Sequence, residues 1–377
     1  MDFQTSGRYF YTLSCFAVLA LWGVSLWNGT VTALIFAAWH GKLGEGGLPL
    51  KTVYTGVPLI DYPIAVLVAF FFYGTNGHDD GYQLFLLDAY STLQPAFVWL
   101  YVEASRPWGE PKWISRPVVF GLLWQCFGAA ISLPLYYGTH LQWISQTRAD
   151  VARAADISQA IAIPFAFLFG AVAPMVIGMA PTWFGPYSRP ATTHQMILAA
   201  WQPDPIWVSW ITLIAATIVA SLPQSRKSRT RPNRDGDEDK RRAHRWICAS
   251  YLLAAASSVL GHLYVMGRIA TSDSQAMDVV RMYVPFLFTG PSETTDILVR
   301  GPWLFLQYDF IIISLSSLSW AFLLLKSTYP KGHVSTAALA LVMMVSSVVI
   351  GPGATVSITL FLRERHLPDQ SSVPHKM

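Results

Sequence analysis

Charge is scarce in this sequence. Only 13% of its 377 residues are Asp, Glu, Lys or Arg, about half of what a soluble domain carries, while 53% are hydrophobic. That balance argues against a water-soluble fold. Cysteine is sparser still: Cys15, Cys126 and Cys248 all sit in apolar stretches, with no CxxC and no Cys/His cluster. A disulfide scaffold and a zinc site are therefore not expected. Alternating ten-residue strands are absent, which removes the transmembrane barrel. A cleavable signal is not expected either, because the first apolar run, Tyr9–Trp27, exceeds the roughly 7–15 residues of a signal core and reads as a retained first span.

What remains is a succession of apolar runs: Tyr9–Trp27, Val57–Tyr73, Tyr82–Val102, Val118–Tyr137, Ile157–Ala180, Pro205–Leu222, Trp246–Met266, Pro302–Leu325 and Thr336–Leu362. Backbone groups in lipid must be satisfied within the segment, so these runs predict helices. The fold class is all-α, a polytopic transmembrane helix bundle of about 7–9 spans, with 1–377 as a single membrane-embedded catalytic domain. Thr30–His40 reads either as a second short helix or as a continuation of the first, and Thr192–Trp201 as an extension of the sixth. The stretch "QSRKSRTRPNRDGDEDKRRAHR", 224–245, reads as a solvated basic loop. The positive-inside rule places it in the cytosol. Its tether between two spans argues against nucleic acid as a partner. Counting from it puts the N-terminus in the cytosol and the C-terminus on the opposite side. The connection 267–301, containing "RMYVPFLFTGP", lies on the face opposite the basic loop. It reads as an interfacial helix or as a lid with Glu293 and Asp296 at its edge.

The third run carries the most information. At 3.6 residues per turn, Asp88, Ser91, Thr92, Pro95, Trp99, Glu103 and Arg106 share one face. A polar stripe on an apolar helix faces the bundle interior, and Pro95 kinks it. Asp88 and Glu103 lie roughly 22 Å apart along the axis at about 1.5 Å per residue, too far to act as a pair. Alternating topology instead brings Asp61 (in "LIDYP"), Asp204 (in "WQPDPIW"), His262 and Tyr264 (in "GHLY") and Asp309 (in "LQYDF") to the depth of Glu103. Tyr62, Trp99, Tyr101, Trp108, Trp113, Trp183, Trp201, Trp207, Trp303 and Tyr308 fall there too, as an interfacial belt or as a pocket wall. An intramembrane carboxylate is a functional candidate by default, but Glu103 can also simply pair with Arg106 three residues on.

A protonated carboxyl facing an aromatic, water-poor cavity suits carbocation chemistry. The acid starts the reaction, aromatic faces stabilise the cation, and excluded water cannot quench it. Magnesium-assisted ionisation of a prenyl diphosphate would need paired aspartate-rich motifs. Asp79-Asp80 in "NGHDDGYQ" is the single adjacent pair and reads as a polar turn, so no metal and no cofactor are expected.

On the stretch "DGYQLFLLDAYSTLQPAFVWLYVEASRP", the preceding "LIDYP" and the polytopic layout, the chain resembles the fungal integral-membrane terpene cyclases of meroterpenoid biosynthesis, such as the ascochlorin, ascofuranone and macrophorin cyclases. The resemblance implies a lipophilic substrate with a farnesyl-type tail on an aromatic or quinone-like head. Cyclisation would start by protonation of a terminal epoxide or an olefin. Membrane lipid is the expected surrounding and the endoplasmic reticulum the expected location. The catalytic candidates are Glu103, Asp61 and Asp309; the substrate-binding candidates are Arg106, Asp88, Trp99, His262, Tyr264 and Tyr308. A proton-coupled transporter of a small lipophilic metabolite is the competing reading, since buried carboxylates and His262 serve proton transport as well. A receptor or scaffold predicts no converging acids.

Overall fold

The computed structural model describes residues 3–44, 47–106, 113–147, 155–222, 235–285, 296–329 and 335–371. The apolar runs form helices, and the strands among the described residues are one two-residue pair, Lys42–Leu43 with Leu48–Pro49. Six helices are long and apolar enough to cross a membrane: Ser6–Trp27, Pro58–Thr75, Ile157–Phe184, Asp204–Ser221, Glu238–Ala270 and Ile297–Thr328. They mark a membrane protein. Thr30–His40 is a separate helix, set off by Gly29 at φ +85°.

The remaining three of the nine runs are built in two different ways. The third is one kinked crossing, Asp80–Leu93 followed by Pro95–Ala104, with Gln94 still helical between them. Pro95 supplies the kink because it has no N–H to donate. The fourth run reverses direction. Helices Pro117–Phe127 and Ala129–Thr147 meet at Gly128, whose φ of +101° is reached easily by glycine alone. Phe120, before the turn, packs edge-on against Tyr136, after it, with ring centroids 5.1 Å apart. This segment is a helical hairpin with its apex inside the bundle. The last run is a second hairpin. Thr336–Val349 and Pro352–Ser371 reverse at Gly351, φ +89°. Tyr329, shortly before its first arm, bonds His366 near the end of its second at 2.8 Å.

These reversals change which residues are level. Each hairpin removes a crossing that alternating spans would require. The helix Asp235–Ala270 consequently runs antiparallel to the kinked 80–104 helix. Its early His244 reaches Glu364 beside the Glu103 end, and its late His262 bonds Asp88. The second arm of the last hairpin returns to the end where Asp235–Ala270 begins. Residue 371 thus lies on the same face as the basic segment, and the expectation of opposite faces is corrected. Hydropathy cannot register such a turn when both arms and the apex are apolar.

Of the 224–245 stretch, residues 235–245 form the opening turns of a helix instead of a loop, and 224–234 lie outside the described residues. The connection 267–301 is shortened by helix at both ends. Between them come a single 3-10 turn, Gln275–Met277, and the five-residue helix Val279–Tyr283. The rest of "RMYVPFLFTGP", from Phe286 on, and Glu293 lie outside the described residues, while Asp296 caps the next helix by accepting from the Leu298 amide at 2.8 Å.

The apex glycine makes a direct prediction. A Cβ at Gly128 would lie 2.6 Å from Leu21 Cδ2 and 3.2 Å from Asp309 Oδ1, at a φ that L residues rarely adopt. Gly128→Ala should destabilise the protein by about 1–3 kcal/mol, read as a lower Tm in detergent. Gly23→Ala is the matched control, since its Cβ would meet nothing within 4 Å. Equal Tm values for the two variants would refute the strained apex.

Candidate active site

The first hairpin closes one side of a cavity of about 400 Å3. Its other walls come from the first helices (Trp22, Thr30, Leu34), from Pro58–Thr75 (Tyr62, Phe70, Phe71), from the 80–104 helix (Leu86, Tyr90, Leu93) and from Ile297–Thr328 (Phe305, Asp309, Phe310). The hairpin itself contributes Trp124, Gln125, Cys126, Gly128 and Ala129. The rings are set edge to face. Phe70 and Trp22 approach Phe305 at 5.3 and 6.0 Å with interplanar angles of 86° and 87°. Trp22 also donates its indole N–H to the Phe127 carbonyl at 2.8 Å, tying the first span to the hairpin apex. The result is an apolar, aromatic chamber of the size that small-molecule sites occupy, about 300–1,000 Å3.

Asp309 is the carboxylate among the described residues lining this chamber. It is 7% exposed, and its Oδ1 accepts from the Ala130 amide at 2.7 Å. That amide belongs to the first turn of Ala129–Thr147. The hairpin apex therefore aims a helix N-terminus, with its unsatisfied N–H groups, at the carboxyl. The turn at Gly128 makes this possible by opening a helix start deep within the bundle.

Glu103 is placed elsewhere. Its Oε1 accepts from Arg363 at 2.6 Å, and its Oε2 lies 3.5 Å from both Arg106 Nε and His140 Nε2. Arg106 in turn pairs with Glu364 at 2.5 Å, and His244 lies 3.5 Å from the same carboxylate. Two carboxylates and two guanidinium groups thus neutralise one another in a buried square linking the kinked helix to the last helix. Trp99 reinforces that seam by donating to Ser357 at 2.9 Å. None of Glu103, Arg106 and Trp99 lines the chamber. The partners Arg363 and Glu364 were legible as charges at the end of the last apolar run, "FLRERH".

The other sequence candidates also fall outside the chamber lining. Asp61 is a turn-stabilising residue: Oδ1 accepts from the Thr55 amide and hydroxyl at 2.7 and 2.8 Å, and Oδ2 from the Gly56 amide at 2.9 Å. Asp88 accepts from the Tyr283 hydroxyl at 2.7 Å and faces His262 Nδ1 at 2.8 Å. His262 Nε2 donates to the Val348 carbonyl at 3.1 Å, next to the apex of the second hairpin. Asp88 and His262 therefore pin that apex, and Tyr283 fastens the connection 279–285 to the same carboxylate. Arg281 adds a second latch through Asp79 at 2.6 Å. Tyr264 accepts from Arg268 at 3.1 Å, and Tyr308 packs half-buried between the two halves of the core. Trp108 lies outside the described residues.

The structure thus does not bring Asp61, Glu103 and Asp309 to one cavity; it leaves Asp309 there alone. The first hairpin breaks the alternation that would set Asp309 level with Glu103. Asp61 and Glu103, on the two spans before it, are each held by partners of their own, the Thr55–Gly56 turn and the Arg106 and Arg363 guanidinium groups. The residues sequence reasoning missed are chiefly the aromatics Trp22, Phe70, Phe71, Tyr90, Trp124 and Phe305, together with Gln125. Only Gln125 carried a signal, as a lone amide in the apolar "LLWQCFG".

The chain matches the CtvD domain family over residues 7–367. Among curated relatives, the protein named terpene cyclase DEP1 of Fusarium langsethiae is 28% identical over 385 residues, covering 97% of this chain and 100% of the relative. The protein named terpene cyclase ascI of Acremonium egyptiacum is 26% identical, covering 90% of this chain and 86% of the relative. The protein named terpene cyclase alnG of Emericella nidulans is 22% identical, covering 94% and 93%. No solved structure matches the chain. A match running through both hairpins and the chamber makes this chain a member of the CtvD-domain family, to which the resemblance to fungal terpene cyclases had pointed.

Proposed function

We propose that the protein is a membrane-bound terpene cyclase, and that Asp309 is the acid that starts the reaction. The observation that carries this reading is a carboxyl, the single one among the described residues on the wall of an apolar, aromatic chamber, held by a backbone amide at a helix N-terminus. The names of the relatives support the reaction type. In the neutral acid, Oδ1 keeps the Ala130 amide and the proton sits on Oδ2. The substrate is a farnesylated aromatic compound, dissolved in the membrane of the endoplasmic reticulum, with a terminal epoxide.

Asp309 gives its proton to the epoxide oxygen. The C–O bond to the more substituted carbon breaks, the oxygen becomes a hydroxyl, and the adjacent double bond attacks the cationic carbon. Ring closure continues until the last cation loses a proton or is captured by an internal oxygen that loses its own. The overall change is an isomerisation and requires no metal. The aromatic faces of Phe70, Trp124 and Phe305 supply the cation stabilisation, and the chamber walls keep water away. A terminal olefin is the other possible proton acceptor for the same acid. The 224–245 segment lies in the cytosol in this reading, and the 279–285 connection covers the far face.

Microsomes carrying the protein should convert a 10,11-epoxyfarnesyl phenol to a cyclic isomer of equal mass. The same protein in liposomes should not accumulate the compound against a proton gradient. Gradient-driven uptake without an isomeric product would replace the enzyme reading with the transporter.

A further inference from the structure

We propose that Gln125 is a cation-stabilising residue of the chamber and that Asp204 is the positioning residue that aims it. The inference rests on the cyclase reading and extends it to a pair outside the acid. Gln125 belongs to the first hairpin, three residues before the apex glycine, and lines the chamber that Asp309 also lines. Its amide nitrogen is fully committed away from the cavity. One N–H goes to the Gln202 carbonyl at 2.6 Å and the other to Asp204 Oδ1 at 3.0 Å. These two acceptors fix the amide orientation, because the reversed rotamer would set oxygen against oxygen at both contacts. Among the described residues, no hydrogen bond is donated to Gln125 Oε1. The negative end of the amide dipole is therefore the end left for the chamber.

A fixed carbonyl dipole in an apolar site stabilises positive charge without any reorganisation at the moment of reaction. An amide oxygen is also far too weak a base to remove a proton and end the cascade early. A carboxylate in the same place would do so. This separates the two oxygen-bearing groups at the hairpin apex: Asp309 donates the proton, and Gln125 holds the charge that results.

Asp204 opens the helix Asp204–Ser221 and is 3% exposed. Besides Gln125 its partner is Gln94, whose Nε2 lies 3.5 Å from Oδ2, next to the Pro95 kink. It does not line the chamber. Its contribution is to hold the Gln125 nitrogen back, which no apolar residue of similar shape could do.

Two measurements test this. With the epoxyfarnesyl phenol, Gln125→Leu should lower kcat by about 10²-fold, the scale of one preorganised dipole, with KM little changed and partially cyclised products released. Asp204→Leu should reproduce that pattern, and Asp204→Asn, whose carbonyl still accepts from Gln125, should restore most of kcat. The second measurement needs no turnover. In an Asp309→Asn background, a farnesyl chain carrying a tertiary ammonium should bind more tightly than its neutral carbon isostere. Gln125→Leu should erase the difference. If the wild-type protein cyclises nothing, the function proposed above fails while the ammonium preference still tests Gln125. An unchanged kcat and product pattern in Gln125→Leu, or an ammonium preference that survives it, overturns the inference.

Discussion

Asp309→Asn is expected to abolish most turnover while leaving the protein folded. General acid catalysis supplies typically about 10²–10⁴-fold in rate, and the substitution removes the acid and little else. Asparagine keeps an oxygen to accept from the Ala130 amide at the hairpin apex, where the aspartate now accepts at 2.7 Å. Its shape also suits the same space beside Gly128 and Phe305. The variant should therefore show wild-type abundance and Tm in detergent, bind the epoxyfarnesyl phenol with unchanged affinity, and fail to convert it. Asp61→Asn is the comparison, since that carboxylate is spent on the Thr55 and Gly56 turn and should lose some stability but little rate. Near-normal kcat in Asp309→Asn would remove the acid from the proposal, because no other carboxylate among the described residues lines the chamber.

The contrast between Asp309 and its companions shows how far the sequence can be read. Helical fold class and the kink at Pro95 follow from hydropathy and from the chemistry of proline, and both are present in the structure. Asp309 was legible as an acid inside an apolar run. Its placement was not, because it depends on a helix that begins in mid-bundle, and the sign of that is one glycine in "CFGAA". A glycine in an apolar run is ambiguous until its φ is known. Gly170, by contrast, sits within the helical stretch Ile157–Phe184 and turns nothing. For this reason neither hairpin is legible in the sequence, nor is the level of His262, which pairs with Asp88 instead of joining Glu103. The chamber aromatics are legible only as apolar residues. Phe70 and Phe72 are nearly adjacent on one helix, yet Phe70 lines the cavity and Phe72 packs in the core.

Glu103 was the most conspicuous carboxylate in the sequence, and its substitution should chiefly cost stability. Arg363 at 2.6 Å, Arg106 at 3.5 Å and His140 at 3.5 Å surround it in a site 3% exposed to solvent. Removing one partner from a buried ion pair typically costs about 3–5 kcal/mol, because the charge left behind has no water to turn to. Glu103→Gln would leave Arg106 and Arg363 with Glu364 alone to balance them. A large fall in Tm and in folded protein is expected. Arg363→Met should fall similarly, by leaving Glu103 short of its nearest partner. The double variant Glu103→Leu/Arg363→Leu should lose less than the sum of the corresponding single leucine variants, which is the signature of a direct coupling. Per folded molecule, however, Glu103→Gln should retain kcat within a few-fold, since the group it changes lies outside the chamber lining. The opposite result, a wild-type Tm with kcat collapsed, would make Glu103 the proton donor and return the ion square to the chemistry.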